Sequence, residues 1–228
     1  MAEYVIPPPA IVAVPVAGGG AFPVRRVFCV GRNYADHARE MGADPDREPP
    51  FFFMKPADAL LTGDADMAYP PQSKDLHHEM ELVVALGKGG ANIAEADALS
   101  HVWGYAAGLD MTRRDLQGQA KKEGKPWDMG KGFDHSGPIG LMVPAEKSGH
   151  PSAGAIVLKV NGAVRQSGDL SQLIWSIPET IAYLSRLVTL AAGDLIFSGT
   201  PAGVAAVQRG DLLEGDVAGV GTVRTRIV

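Results

Sequence analysis

Cysteine is nearly absent: Cys29 stands alone among 228 residues. An intrachain disulfide and a cysteine-built zinc site are therefore excluded. The apolar setting VFCVG predicts that this thiol is packing rather than a nucleophile. No apolar run reaches the roughly 18 residues of a membrane span. The opening MAEYVIPPPA lacks the basic region and long apolar run of a signal peptide, so the expectation is a cytoplasmic protein. Positive charge is not in excess either. A formal net charge of −5 gives no bias towards nucleic acid. Local signatures are missing too: no GxGxxG after a strand and no GxxxxGK[ST] for nucleotides, no HExxH for zinc, no GxSxG elbow for serine catalysis.

Glycine and proline are plentiful, and they cut the chain into many short strands with few helices and no regular βαβ alternation. This predicts an α+β, mainly β fold rather than a doubly wound sheet. Residues 1–23, with PPP and AGGG, are expected as an N-terminal arm, and 24–228 as one domain. Strands are expected over 24–30, 51–55, around the stretch LHHEMELVVAL, and up to Asp110 in WGYAAGLD. Asn33 is expected to cap a short helix through YADHAREM. Thr112 and Asp115 suggest an acidic capping box for a helix fading at Gly124. The segment 124–140 holds five glycines and two prolines and is expected as loop. Asn161-Gly162 between AIVLKV and AVRQ signals a type I′ hairpin. Ser176 and Glu179, with Pro178 between them, signal a capped helix to about Val188. DVAGVGTVRTRIV is expected as one closing strand.

The chemistry starts at Glu79 and Glu81. Residues two apart on a strand share a face, so these carboxylates project into one space. Like charges repel, and each is costly to desolvate. A hard divalent cation such as Mg²⁺ or Mn²⁺ resolves this. Asp110, at the end of another apolar strand, offers a third oxygen ligand. The competing reading of the Glu pair is a half-exposed strand with a polar face. His77 would share the face of the pair and His78 would turn away. His37 and Glu40, three apart on a short helix, fit a general base oriented by a carboxylate, although this spacing is also common on surfaces. Lys55 and Lys131 are candidates for neutralising substrate oxygens.

The motifs VFCVGRNYADHARE, FFFMKP, LHHEMELVVALG, GLDMTRRDLQ, KPWDMGKGFD, SIPETIAYLS and GDLIFSGTPAGV occur in order over 24–228. Together they resemble the fumarylacetoacetate hydrolase family. Within it, the short N-terminus is most similar to bacterial fumarylpyruvate hydrolases of gentisate breakdown and to small acylpyruvases. The resemblance implies a mixed β-sandwich roll, usually homodimeric, with Mg²⁺ or Mn²⁺ held by Glu79, Glu81 and Asp110. It implies a catalytic His37 and Glu40 on a movable segment, and a catalytic Lys131. It places Lys55, Gln117 and Thr200 around the substrate, with Arg32 and Tyr34 as further contacts. Arg113 or Arg114 could read a second substrate carboxylate, and Arg113 is the candidate carried forward. The implied reaction is hydrolysis of the C–C bond of a 2,4-dioxo acid, fumarylpyruvate giving fumarate and pyruvate. Oxaloacetate decarboxylation, isomerisation or decarboxylation of a hydroxymuconate-type diacid, and non-enzymatic binding of a 2-oxo acid are the alternatives.

Overall fold

A computed structural model describes residues 4–40 and 48–228. Two β-sheets form its body. The larger has six strands in the order Val143–Pro144, Val102–Leu109, Met80–Leu86, Asp194–Phe197, Arg26–Gly31, Phe51–Lys55. Only the pairing of Asp194–Phe197 with Arg26–Gly31 is parallel. The smaller sheet is antiparallel, in the order Ala163–Asp169, Ala155–Val160, Leu212–Val217, Gly221–Arg226. The architecture is α+β and dominated by strands.

The central strand Met80–Leu86 is buried along its whole length because both its faces are covered. Met80, Leu82, Val84 and Leu86 join the core shared with Ile156, Leu158, Leu213 and Val223 of the smaller sheet. Val83 and Ala85 face a second core, with Val27, Cys29, Leu195 and Phe197. Glu81 lies on the row of Val83 and Ala85, so the two-residue period carries it into the interior at the strand's start.

Several local expectations gain detail. Ala155–Val160 and Ala163–Asp169 form the hairpin, with Asn161 and Gly162 both at positive φ, as a type I′ turn requires. The Ile177–Leu187 helix carries the reciprocal Ser176–Glu179 capping box. The C-terminal segment is two strands, Leu212–Val217 and Gly221–Arg226, because Gly219 at φ 76° lets the chain reverse. Thr112 is in a short strand, Thr112–Arg113, and the helix begins only at Arg114. No capping box forms there: the Asp115 carboxylate accepts Ser73 Oγ and Lys74 N–H instead. The 124–140 segment contains a short helix, Asp128–Lys131. Residues Ala13–Pro15 and Ala21–Pro23 pair as a hairpin that places Val14 and Phe22 in the second core. Among the described residues, no helix is long and apolar enough to cross a membrane.

Candidate active site

Strand pairing assembles the three carboxylates. Met80 lies opposite Leu109, and Asp110 N–H donates to the Glu79 carbonyl at 2.8 Å. Residues opposite one another share a face, so Glu79 and Asp110 point the same way, with Glu81 one step further along. Gly108 lies opposite Glu81 and puts no side chain beside it. One oxygen from each of Glu79, Glu81 and Asp110 lies within 4.8 Å of the others, and all three residues are buried.

Their electrostatic settings differ. Glu79 contacts Arg114 at 2.5 Å through Oε1 and Lys131 at 2.8 Å through Oε2. Burial pushes its pKa up, but Lys131 and Arg114 outweigh burial and hold it well below the usual carboxylate range. Asp110 receives Lys131 at Oδ2 and forms an ion pair with Lys55 at Oδ1, both at 2.8 Å. Lys55 also donates to the backbone carbonyls of Met111, at 3.2 Å, and Lys131. Lys131 is fully desolvated, yet Asp110 and Glu79 raise its pKa, so it is a buried ammonium.

Glu81 is the exception. Its Oε2 accepts Gly199 N–H at 2.8 Å, and among the described residues it has no ion-pair partner. Burial first, and then the charges of Asp110 and Glu79, raise its pKa well above the ordinary range. Three converging carboxylates with one lacking a cation fit a hard divalent ion, which would supply the missing positive charge. Gly199 is needed for this arrangement. It stands at φ 102°, and a Cβ there would meet Asn33 Cβ at 2.7 Å. Gly199→Ala is expected to destabilise the fold by more than about 1 kcal/mol and to weaken divalent-ion binding. A denaturation midpoint and a Mn²⁺ titration check both effects.

Glu79 and Glu81 open into a cavity that is also lined by His37, Arg114, Gln117, Lys131, Thr200 and Arg32, with Asp110 fully buried behind them. Phe51, Phe53 and Trp127 supply its aromatic wall. His37 is buried, with Nδ1 3.5 Å from Glu40 Oε2, a contact too long for a good hydrogen bond. Burial lowers the His37 pKa, and Glu79 and Glu40 only partly oppose that. The imidazole is therefore neutral near pH 7. Glu40 also accepts Gly203 N–H at 2.9 Å, which ties the Ala35–Glu40 helix to the turn after Thr200. Asn33 does not spend its side chain on capping that helix. It donates to the carbonyls of Trp175 and Ser198 and accepts Trp175 N–H, anchoring the helix entrance across the chain.

Of the remaining expected contacts, Gln117 accepts Arg114 Nη1 at 2.6 Å, and Thr200 accepts Gln166 Nε2 at 2.8 Å. Gly130 makes this packing possible, since a Cβ there would meet Gln117 Cβ at 2.9 Å. Tyr34 does not line the cavity: it is 2 % exposed within the larger core. Arg113 is directed away as well. Its guanidinium sits 4.4 Å from the Phe133 ring centroid, and Nη1 points to the Met129 carbonyl. The cavity is faced by Arg114, the first residue of its helix, on the same side as Gln117 three positions on. That three-residue spacing is the sequence signal that selects Arg114 over Arg113. His77 accepts Arg114 Nε at 3.4 Å, and His78 turns away into the protein to meet Gln166.

The family model for the fumarylacetoacetate (FAA) hydrolase C-terminal domain matches residues 26–228. A crystal structure of fumarylpyruvate hydrolase from Pseudomonas aeruginosa, in complex with Mn²⁺ and pyruvate, is 53 % identical with a TM-score of 0.97, covering 99 % of each chain. Rat mitochondrial oxaloacetate tautomerase FAHD1 is 45 % identical over 203 residues, 89 % of this chain and 91 % of the relative. The mitochondrial oxaloacetate decarboxylase of Dictyostelium discoideum is 40 % identical over 199 residues, 87 % of this chain and 91 % of the relative. The chain belongs to the fumarylacetoacetate hydrolase family.

Proposed function

We propose that the protein is a metal-dependent hydrolase of acylpyruvates, with fumarylpyruvate as substrate and fumarate and pyruvate as products. The observation that carries this reading is the convergence of three buried carboxylates, two of which line one cavity with the buried His37 and Lys131. The Pseudomonas relative, with Mn²⁺ and pyruvate in its structure, supports the choice of ion and product.

Glu79, Glu81 and Asp110 would hold Mg²⁺ or Mn²⁺, which supplies Lewis-acid stabilisation of the negative charge that develops on the pyruvate half. His37 takes a proton from water, and the hydroxide adds to the distal carbonyl of the 2,4-dioxo acid. Lys131 places positive charge beside the oxygen that becomes anionic. The C–C bond between that carbonyl and the methylene then breaks. The bonding electrons pass to the pyruvate half as its enolate, and the His37 imidazolium returns the proton to its carbon. Arg114, with Arg32 and Gln117, supplies donors for the carboxylates, and the Phe51–Trp127 wall accommodates the acyl group. Glu40 orients His37.

Because burial holds His37 below the ordinary histidine pKa, the base stays unprotonated to lower pH. The acid limb of kcat/KM is expected below pH 6.5. A limb at or above 6.5 would remove His37 as the base.

Oxaloacetate chemistry is the second reading, favoured by the names of the tautomerase and decarboxylase relatives. It needs enolisation without an attacking water. Assays of the Mn²⁺-loaded protein with fumarylpyruvate, acetylpyruvate and oxaloacetate separate the two. The hydrolase reading requires the highest kcat/KM on fumarylpyruvate, with fumarate released in equal amount to pyruvate.

A homodimer is part of the proposal. The sheet ends on the Phe51–Lys55 strand, where Phe51 and Met54 are exposed, and Met129 nearby is 67 % exposed. Sedimentation checks it. The cytoplasm is the proposed compartment, consistent with a lone, buried thiol.

A further inference from the structure

A buried chain of hydrogen bonds runs from His78 to the cavity through Gln166, and its direction can be assigned. The Met80 N–H is only a donor, and it meets Gln166 Oε1 at 3.0 Å. The Pro201 carbonyl is only an acceptor, and it meets Gln166 Nε2 at 2.7 Å. These backbone groups sit at opposite ends of the amide and fix it against a flip. Gln166 Nε2 therefore donates to Thr200 Oγ1 at 2.8 Å. By the same logic His78 donates its Nδ1–H to Gln166 Oε1 at 3.0 Å. Thr200 lines the cavity with Glu79, Glu81 and Lys131. Among the described residues its hydroxyl donates to no protein acceptor, so its proton is left for a ligand.

We propose that Gln166 is a positioning residue that holds the Thr200 hydroxyl as a hydrogen-bond donor to an oxygen of the bound 2-oxo acid. A hydroxyl is a rotor that can offer either a proton or a lone pair. Carboxylate and keto oxygens only accept, so half of that freedom is unproductive. The Gln166 N–H occupies a lone pair on the side away from the ligand and turns the proton towards it. Met80 and His78, both donating to the far end of the amide, strengthen each link in turn. Gln166 is 1 % exposed and lies on the smaller sheet, in Ala163–Asp169, so the relay joins that sheet to a site built on the larger one. The inference rests on the 2-oxo acid reading of the cavity.

The test is a double-mutant cycle with Gln166→Met and Thr200→Val, read by pyruvate titration of the Mn²⁺-loaded protein, with Mn²⁺ affinity and kcat and KM for fumarylpyruvate alongside. Each single substitution is expected to weaken pyruvate binding about ten-fold, as loss of a hydrogen bond to a charged group does. Once Thr200→Val has removed the hydroxyl, adding Gln166→Met should change pyruvate affinity by less than about two-fold. Mn²⁺ affinity should stay within about two-fold throughout, and Thr200→Ser should bind pyruvate more tightly than Thr200→Val. If Gln166→Met does not fold, Gln166→Leu replaces it in the cycle, since it also fills the site without a group that can donate to Thr200. Additive losses, unchanged pyruvate affinity in the Gln166 variant, or no pyruvate binding by the wild type would each overturn the relay. Coupling in the cycle without turnover of any acylpyruvate would leave the relay standing and remove the proposed function. Turnover with additive losses would do the reverse.

Discussion

In the metal-free protein, Glu81→Gln is expected to leave the thermal midpoint unchanged or raise it, whereas Asp110→Asn lowers it. The contrast follows from their partners. Asp110 is fully buried between the ammonium groups of Lys55 and Lys131, each 2.8 Å away. Removing its charge strips two buried cations of their shared partner. Breaking such an arrangement costs about 3–5 kcal/mol, a fall of roughly 6–20 °C for a chain of this size. Glu81 has only the Gly199 N–H, which a Gln oxygen can also accept. Its folded pKa is raised, so its contribution to stability is present below the unfolded carboxyl pKa and is lost as pH rises through the folded one. At neutral pH a neutral amide removes that penalty. Mn²⁺ should reverse the order for Glu81: the wild type gains stability by binding the ion, and Glu81→Gln gains far less. Both variants should lose more Mn²⁺ affinity and turnover than the roughly 10–100-fold typical of residues that only support a ligand. Melting curves with and without Mn²⁺, together with calorimetric titration, check this. Equal destabilisation of the two metal-free variants, or unchanged Mn²⁺ binding, would remove the three-carboxylate ion site.

His37→Ala should lower kcat on fumarylpyruvate by about 10²–10⁴-fold while Mn²⁺ affinity stays near that of the wild type. His37 is the neutral imidazole lining the cavity, and among the described residues its Nδ1 has no hydrogen-bond partner. Glu40 Oε2 stands 3.5 Å from that nitrogen. Oxaloacetate decarboxylation needs no attacking water, so any such activity should fall less. Single-turnover rates on both substrates decide the role. Equal losses would assign His37 to a step the reactions share, such as protonation of the enolate.

The carboxylate triad was legible in the sequence because its signal is local. A two-residue period within an apolar strand, and an acid at the end of another, need no knowledge of distant contacts. The hairpin at Asn161-Gly162 and the helix opened by Ser176 were legible for the same reason: each is decided by dihedral preference and bonding within a few residues. The helix before Gly124 was harder. Asp115 found partners at Ser73 and Lys74, about forty positions away, the helix began one residue later than the capping pattern suggested, and Arg114 rather than Arg113 turned to the cavity. Such a shift turns each residue by about 100° per position, enough to exchange an inward side chain for an outward one. Tyr34 was placed at the substrate by the family resemblance, yet packing took its ring into the core.

What tertiary structure alone decided is the difference among the three acids and the polarity of the relay behind Thr200. Glu79 and Glu81 are indistinguishable as a pattern. They differ because Arg114 and Lys131, brought in by other segments, reach the first and not the second. Gln166 lies 86 residues from Met80 and 34 from Thr200, and only the packing of one sheet on the other brings it between them. Short-range order follows from the backbone preferences of neighbouring residues. The charge and hydrogen-bond partners of a buried group depend on which distant side chains complete its shell, and no local spacing encodes that.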